Sequence, residues 1–160
     1  MFRLHMAVAT WAVMLVAPAA PAGPPSRVGR VEVTCPICER PFKAFAVAVE
    51  NTYQGVDRDL FARAIGPQPE FYRVSTCPRC AYSGYLEDFR PGLALSPAFI
   101  RRVLDSPGLR PDPPIATDAD QTDIPAAQRY ELAIRCYEWL ARSDEARAWL
   151  HLRAAWVARD

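Results

Sequence analysis

Two Cys-Pro-x-Cys pairs, Cys35-Pro36-Ile37-Cys38 and Cys77-Pro78-Arg79-Cys80, hold the residues best able to do chemistry in this 160-residue chain. A two-residue spacing lets both thiolates of a pair turn toward one ion, and proline at the second position presets φ for the tight turn. Two such pairs supply the four tetrahedral sulfur ligands of a closed structural zinc site. The spacing therefore predicts one structural Zn2+ held by Cys35, Cys38, Cys77 and Cys80. Two other chemistries use the same residues. A C-P-x-C pair serves thiol–disulfide oxidoreductases where its first cysteine sits at a helix amino terminus with a depressed pKa. That expects one motif in a βαβ setting, whereas here there are two, each preceded by a strand. Two structural disulfides are the third possibility, and an oxidising compartment would suit them.

Little else in the chain can catalyse. The fifth cysteine, Cys136, falls inside a helical pattern near Leu132, Trp139 and Leu140, as a buried inert thiol would. Of two histidines, His5 lies in the amino-terminal apolar segment and His151 beside Arg147 and Arg153 on the last helix, a solvated position. No Ser-His-Asp set, H-E-x-x-H motif or phosphate loop is present, so the sequence argues against an enzyme more than for one. In Asn51, Tyr53, Gly55, Asp57 and Asp59 the distinctive residues recur at every second position. Such spacing allows a calcium loop, although it misses the EF-hand pattern. Asp57 or Asp59 capping a short helix, or a functional loop beside the metal, are the other readings.

The elements that must position the cysteines are short. Val31–Thr34 alternates apolar and polar side chains as a strand does, and Phe42–Glu50 does so again after the first pair. Asp57–Ile65 is expected as a short helix stopped by Gly66-Pro67, and Phe71–Ser75 as a third strand running into the second pair. Beyond Arg90 the period turns helical. Ser96-Pro97 caps a helix whose face carries Phe99, Ile100, Val103 and Leu104. Residues 106–125 hold five prolines and four aspartates without any period, a connector. From Ala126, Tyr130, Ala133, Ile134, Tyr137, Leu140 and Ala141 follow helical spacing. Ser143-Asp144 breaks that helix and caps another, with Ala146, Trp149, Leu150, Trp156 and Val157 on one face. Two helices so closely joined should form an antiparallel hairpin resembling one tetratricopeptide unit, though that repeat's diagnostic Gly and Pro are absent. One unit cannot bury its own face, so it must pack on the amino-terminal part, a partner or a second copy.

The amino terminus carries an address. Arg3, the apolar run Met6–Val16 and the small residues Ala17–Ala22 read as a secretory signal peptide, cleaved after Ala19 or Ala22. The run is about half the roughly 20 residues a bilayer-spanning helix needs. The expected organisation is thus a signal peptide over 1–22, a flexible lead-in over 23–30, and a zinc-ribbon-like domain over 31–90. A short helix and connector over 91–125 and a helical hairpin over 126–160 complete it. The fold class is α+β, a small β-rich part with two cysteine knuckles packed on the hairpin. Nineteen basic residues stand against 18 acidic, a net charge of +1. Outside 1–22 the balance is 18 against 18, so no general pull on nucleic acid or an anionic membrane is expected.

Several stretches together resemble a known family. Val33-Thr34-Cys35-Pro36-Ile37-Cys38, Asn51–Asp59, Phe71–Val74 followed by Cys77–Tyr82, Asp88-Phe89 and Arg153-Ala154-Ala155-Trp156 are similar to the bacterial domain-of-unknown-function 2225 family. The resemblance covers most of 31–159. It implies paired zinc knuckles followed by tetratricopeptide-like helices, and it implies no reaction. Glu39 and Ala81 stand where the family usually has Gly after the second cysteine, at a turn where a positive φ is expected. The chain also stops soon after the hairpin, whereas relatives carry more helix.

The expectation is an exported, zinc-stabilised module, periplasmic or extracellular, engaging an unidentified protein partner through its carboxy-terminal helices. A periplasmic thiol–disulfide oxidoreductase and a nucleic-acid-binding zinc ribbon are the alternatives. The last needs a basic face, and Arg58, Arg63, Arg73 and Arg79 are interleaved with acids.

Overall fold

The computed structural model describes residues 23–109, 114–116 and 123–160. The expected signal peptide and parts of the Pro/Asp-rich connector, 110–113 and 117–122, lie outside the described residues.

Strand β1 (Arg27–Thr34) pairs antiparallel with β2 (Pro41–Val49), with Val33 opposite Phe42 and Thr34 opposite Pro41. Strand β3 (Val74–Thr76) pairs with β4 (Ser83–Tyr85), Val74 opposite Tyr85 and Thr76 opposite Ser83. Each C-P-x-C motif is the turn of one of these hairpins. Helices α1 (Pro97–Asp105), α2 (Ala126–Trp139) and α3 (Asp144–Arg159) follow. Among the described residues, two small antiparallel sheets and three α-helices make the class α+β, and no helix there is long and apolar enough to cross a membrane.

Local chemistry sets the helix limits as the sequence predicts. Ser96 Oγ accepts the Phe99 N–H at 3.2 Å and Ser143 Oγ accepts the Ala146 N–H at 3.2 Å, each relieving one orphan donor of a first turn. Ala141, at φ 49°, ends α2 in a left-handed cap, with the Arg142 N–H returning to the Tyr137 carbonyl at 3.1 Å.

Helix α2 is the central beam. Leu132 and Cys136, one turn apart, join Cys35, Phe42, Ala44, Cys77, Tyr82, Phe89, Phe99 and Val103 in a core beneath the knuckles. Tyr130, Ala133 and Tyr137 face another side, packing with Val74 of β3 and with Leu150 and Val157 of α3. The hairpin therefore buries its face on the amino-terminal part of its own chain. Aromatic edges line the first core: Phe42 to Phe89 at 5.2 Å, Tyr82 to Phe89 at 5.3 Å and Tyr82 to Phe99 at 6.0 Å between ring centroids.

Polar anchors fix α2 to the strands. The buried Arg129 donates to the carbonyls of Val74 at 3.0 Å and Phe71 at 2.6 Å and stacks over Phe45. Burial lowers its pKa to about 10, since carbonyls and a ring are poor substitutes for a carboxylate. Buried Asp88 accepts the Tyr85 N–H at 2.9 Å, the Tyr137 hydroxyl at 2.7 Å and Arg142 at 2.5 Å, tying β4 to both ends of the α2–α3 turn. Gly84 makes room for it: a Cβ there would lie 2.5 Å from Asp88 Oδ2.

Three expectations change. Asp57–Ile65 is not a helix; Val56 bridges Ala62 and the chain reverses at Asp57–Leu60, because Asp57 and Asp59 bond across the turn and to distant arginines. Neither aspartate is a helix cap. The third strand starts only at Val74, since Pro69 opens a 3-10 turn that holds Phe71 and Tyr72. Strand β1 begins at Arg27, inside the expected lead-in, where the buried Ser26 donates its N–H to the Ile65 carbonyl at 2.8 Å.

Candidate metal centre

The two knuckles repeat one backbone pattern. Cys35 donates its N–H to the Arg40 carbonyl at 3.0 Å, and Glu39 donates to the Cys35 carbonyl at 3.0 Å. In the second, Cys77 donates to the Tyr82 carbonyl at 2.8 Å and Ala81 to the Cys77 carbonyl at 2.9 Å. Glu39 and Ala81 have φ of 57° and 58°, the left-handed turn the sequence placed there. Backbone N–H groups inside each loop point at sulfur: that of Cys38 at Cys35, those of Cys80 and Arg79 at Cys77.

The two hairpin turns bring the four predicted ligands together. All four Sγ atoms lie within 4.8 Å of one another, and the nearest contacts run between knuckles, Cys35 to Cys80 at 3.6 Å and Cys38 to Cys77 at 3.5 Å. A tetrahedral ion about 2.3 Å from each sulfur sets the sulfurs about 3.8 Å apart. A disulfide needs about 2.05 Å. The cysteines are free thiols in an arrangement with the dimensions of a four-sulfur metal cage.

Electrostatics favour a cation at its centre. The thiol hydrogen bond from Cys35, joined by that from Cys80, holds Cys77 far below its ordinary 9.0. Cys35 is pushed up, chiefly by its hydrogen bond to Cys77, and Cys80 by those to Cys35 and Cys77. Four crowded sulfurs ionise together only around a positive ion, and these residues fit a divalent metal. Neither motif opens a helix, so the helix-terminus activation that a C-P-x-C oxidoreductase uses is missing at both. Cys35 and Cys77 are fully buried, whereas half-buried Cys38 and Cys80 line a cleft of about 640 Å³ with Arg79, Val103 and Leu109.

The other predicted candidates lie elsewhere. Cys136 is buried, its pKa raised to about 12 mainly by desolvation, and it packs in the core as an inert thiol. His151 is exposed on α3. Asn51 staples a loop, its Oδ1 accepting the Ile65 N–H at 2.8 Å and the Tyr53 N–H at 3.2 Å. Asp57 and Asp59 are engaged by Arg63 and Arg159, so the calcium-loop reading loses its carboxylates to guanidinium groups. Of the anchors that hold the knuckle layer on the helices, Asp88 lies in the Asp88-Phe89 stretch of the family resemblance, without a role assigned to it there, and Arg129 carried no signal in the sequence.

Hairpin-borne cysteine knuckles on an α-helical support define an α+β protein built around a four-sulfur centre. Residues 30–160 match the family described as Uncharacterized protein conserved in bacteria (DUF2225), and the chain belongs to that family. No curated protein and no solved structure matches the chain.

Proposed function

We propose that the chain is an exported zinc-binding protein in which one Zn2+, held by Cys35, Cys38, Cys77 and Cys80, locks two β-hairpins into a platform for a protein-interaction module. The observation that carries this reading is the convergence of four thiols from two hairpins within 4.8 Å. An all-sulfur tetrahedral set suits zinc, which has no preference from d-electrons and no redox chemistry to damage its ligands. An isolated two-stranded hairpin is marginally stable at best, and a shared ion supplies the cross-link that packing on α2 then completes. The carboxy-terminal helices are the surface assigned to the partner, since α3 leaves Trp149 46% exposed after its inner face is buried. The apolar segment 6–16 with its small-residue exit supports export. Zinc per chain by elemental analysis, with a thiol count before and after chelation, tests the reading. One zinc and four thiols that react only after chelation is the expected result. No zinc together with oxidised cysteines would replace it with disulfide chemistry.

A further inference from the structure

The four sulfurs of the centre are not equivalent. Cys35 and Cys77 are 0% exposed, whereas Cys38 and Cys80, the second cysteine of each knuckle, are half-buried and line one cleft of about 640 Å³. The loop N–H groups follow the same division. That of Cys38 is directed at Cys35, and those of Arg79 and Cys80 at Cys77. Backbone strain falls on the other side of it. Glu39 at φ 57° and Ala81 at φ 58° each follow directly on one of the half-buried cysteines. A residue with a Cβ adopts that left-handed conformation at a cost, and holds it only while the surrounding structure dictates it. Burial and N–H donors therefore secure the first cysteine of each knuckle, while access and strain adjoin the second.

The two outer sulfurs come from opposite knuckles, lie within 4.8 Å of each other and open on the same side. A cleft of this volume admits a small molecule. Arg79, exposed, is the one charged side chain among the described residues that line it. The cleft thus suits a small anion that also carries a soft donor atom able to compete for a thiolate-bound metal.

We propose that the centre is an exchange site that hands its metal to a small carboxylated thiol entering this cleft, with Cys38 and Cys80 as leaving ligands and Cys35 and Cys77 as anchors. The inference rests on the zinc reading above. In each exchange the incoming sulfur bonds to zinc, the Cys38 or Cys80 sulfur leaves, and the thiol's proton passes to it, so no oxidation state changes. Zinc transfer from the loaded chain to a metallochromic dye, followed at increasing thioglycolate, tests this. The rate should rise in proportion to thioglycolate. At equal thiolate concentration thioglycolate should outpace neutral 2-mercaptoethanol by about threefold, an advantage that Arg79→Gln removes. Leu104 lines the cleft and is 47% exposed. Leu104→Trp narrows the cleft and should slow transfer about fivefold with the melting temperature unchanged. Iodoacetamide added midway should label Cys38 or Cys80 in chains that native mass spectrometry shows still holding zinc. A chain that binds no zinc overturns both readings. With zinc bound, a rate independent of thioglycolate, an advantage that Arg79→Gln leaves intact, or labelling first at Cys35 or Cys77 overturns the exchange proposal alone.

Discussion

Replacing Glu39 by glycine should stabilise the metal-bound protein, while the matching change at Ala81 should not. Both residues hold φ near 57° at equivalent places in their knuckles. A left-handed L-residue costs about 1–2 kcal/mol, and glycine returns about 0.5–1 kcal/mol of that through unfolded-chain entropy. Exposed Glu39 loses nothing else, so Glu39→Gly gains roughly 0.5–1 kcal/mol. Ala81 is only 5% exposed, and deleting its buried methyl sacrifices about 0.8 kcal/mol, which cancels the gain. Thermal unfolding with zinc present should rise by roughly 2–4 °C for Glu39→Gly and stay put for Ala81→Gly. The gain belongs to the closed knuckle, so the half-time of zinc extraction by a chelator should lengthen about two- to fivefold. Glu39→Ala, which keeps the left-handed penalty, separates backbone relief from loss of a charge. A Glu39→Gly protein that melts lower, or a Glu39→Ala protein that gains as much, would refute the reasoning.

Other perturbations test the support. Asp88→Ala leaves the Tyr137 hydroxyl and Tyr85 N–H without their acceptor and releases the partly exposed Arg142; it should cost about 3 kcal/mol and lower the melting temperature by roughly 10 °C, with Asp88→Asn recovering part. Burial raises the phenols of Tyr82, Tyr130 and Tyr137 above their ordinary 10.0 and Cys136 to about 12. Because these folded-state values are raised, their stabilisation is complete below pH 9–10 and is lost as pH climbs further, so urea midpoints should fall between pH 9 and 11. In the same titration tyrosinate absorbance should lag behind that of the unfolded chain. Cys136 should resist alkylation until the protein unfolds.

The cysteine cage was legible because ligand spacing is a local property: two C-P-x-C turns, each following a strand, dictate paired knuckles whatever lies between them. Caps were legible for the same reason, with Ser96 and Ser143 each accepting a bond three residues on. The misread segments are those whose local pattern tertiary partners override. Asp57–Ile65 has helical spacing, yet its aspartates bond to Arg63 and Arg159, the latter about a hundred residues away, and the segment folds as a hairpin. Phe71 and Tyr72 look like strand residues, but Pro69 and the pull of Arg129 on the Phe71 carbonyl coil them into a 3-10 turn. Nothing local in the sequence marks Arg129 or Asp88 for burial, and only the assembled core shows them buried. Burial of Cys136 was legible from its place in the helical pattern, but the second stripe it forms with Leu132 was not set apart from the Tyr130–Ala141 face, because a helix buried on two sides has no single apolar face.

Zinc K-edge absorption on the purified chain, prepared without added metal, addresses the central claim most directly. A single zinc per chain with four sulfur neighbours at about 2.3 Å and no nitrogen or oxygen ligand is the predicted result. Zinc bound through nitrogen or oxygen, or a metal-free protein with Cys35–Cys80 or Cys38–Cys77 disulfides, would contradict it.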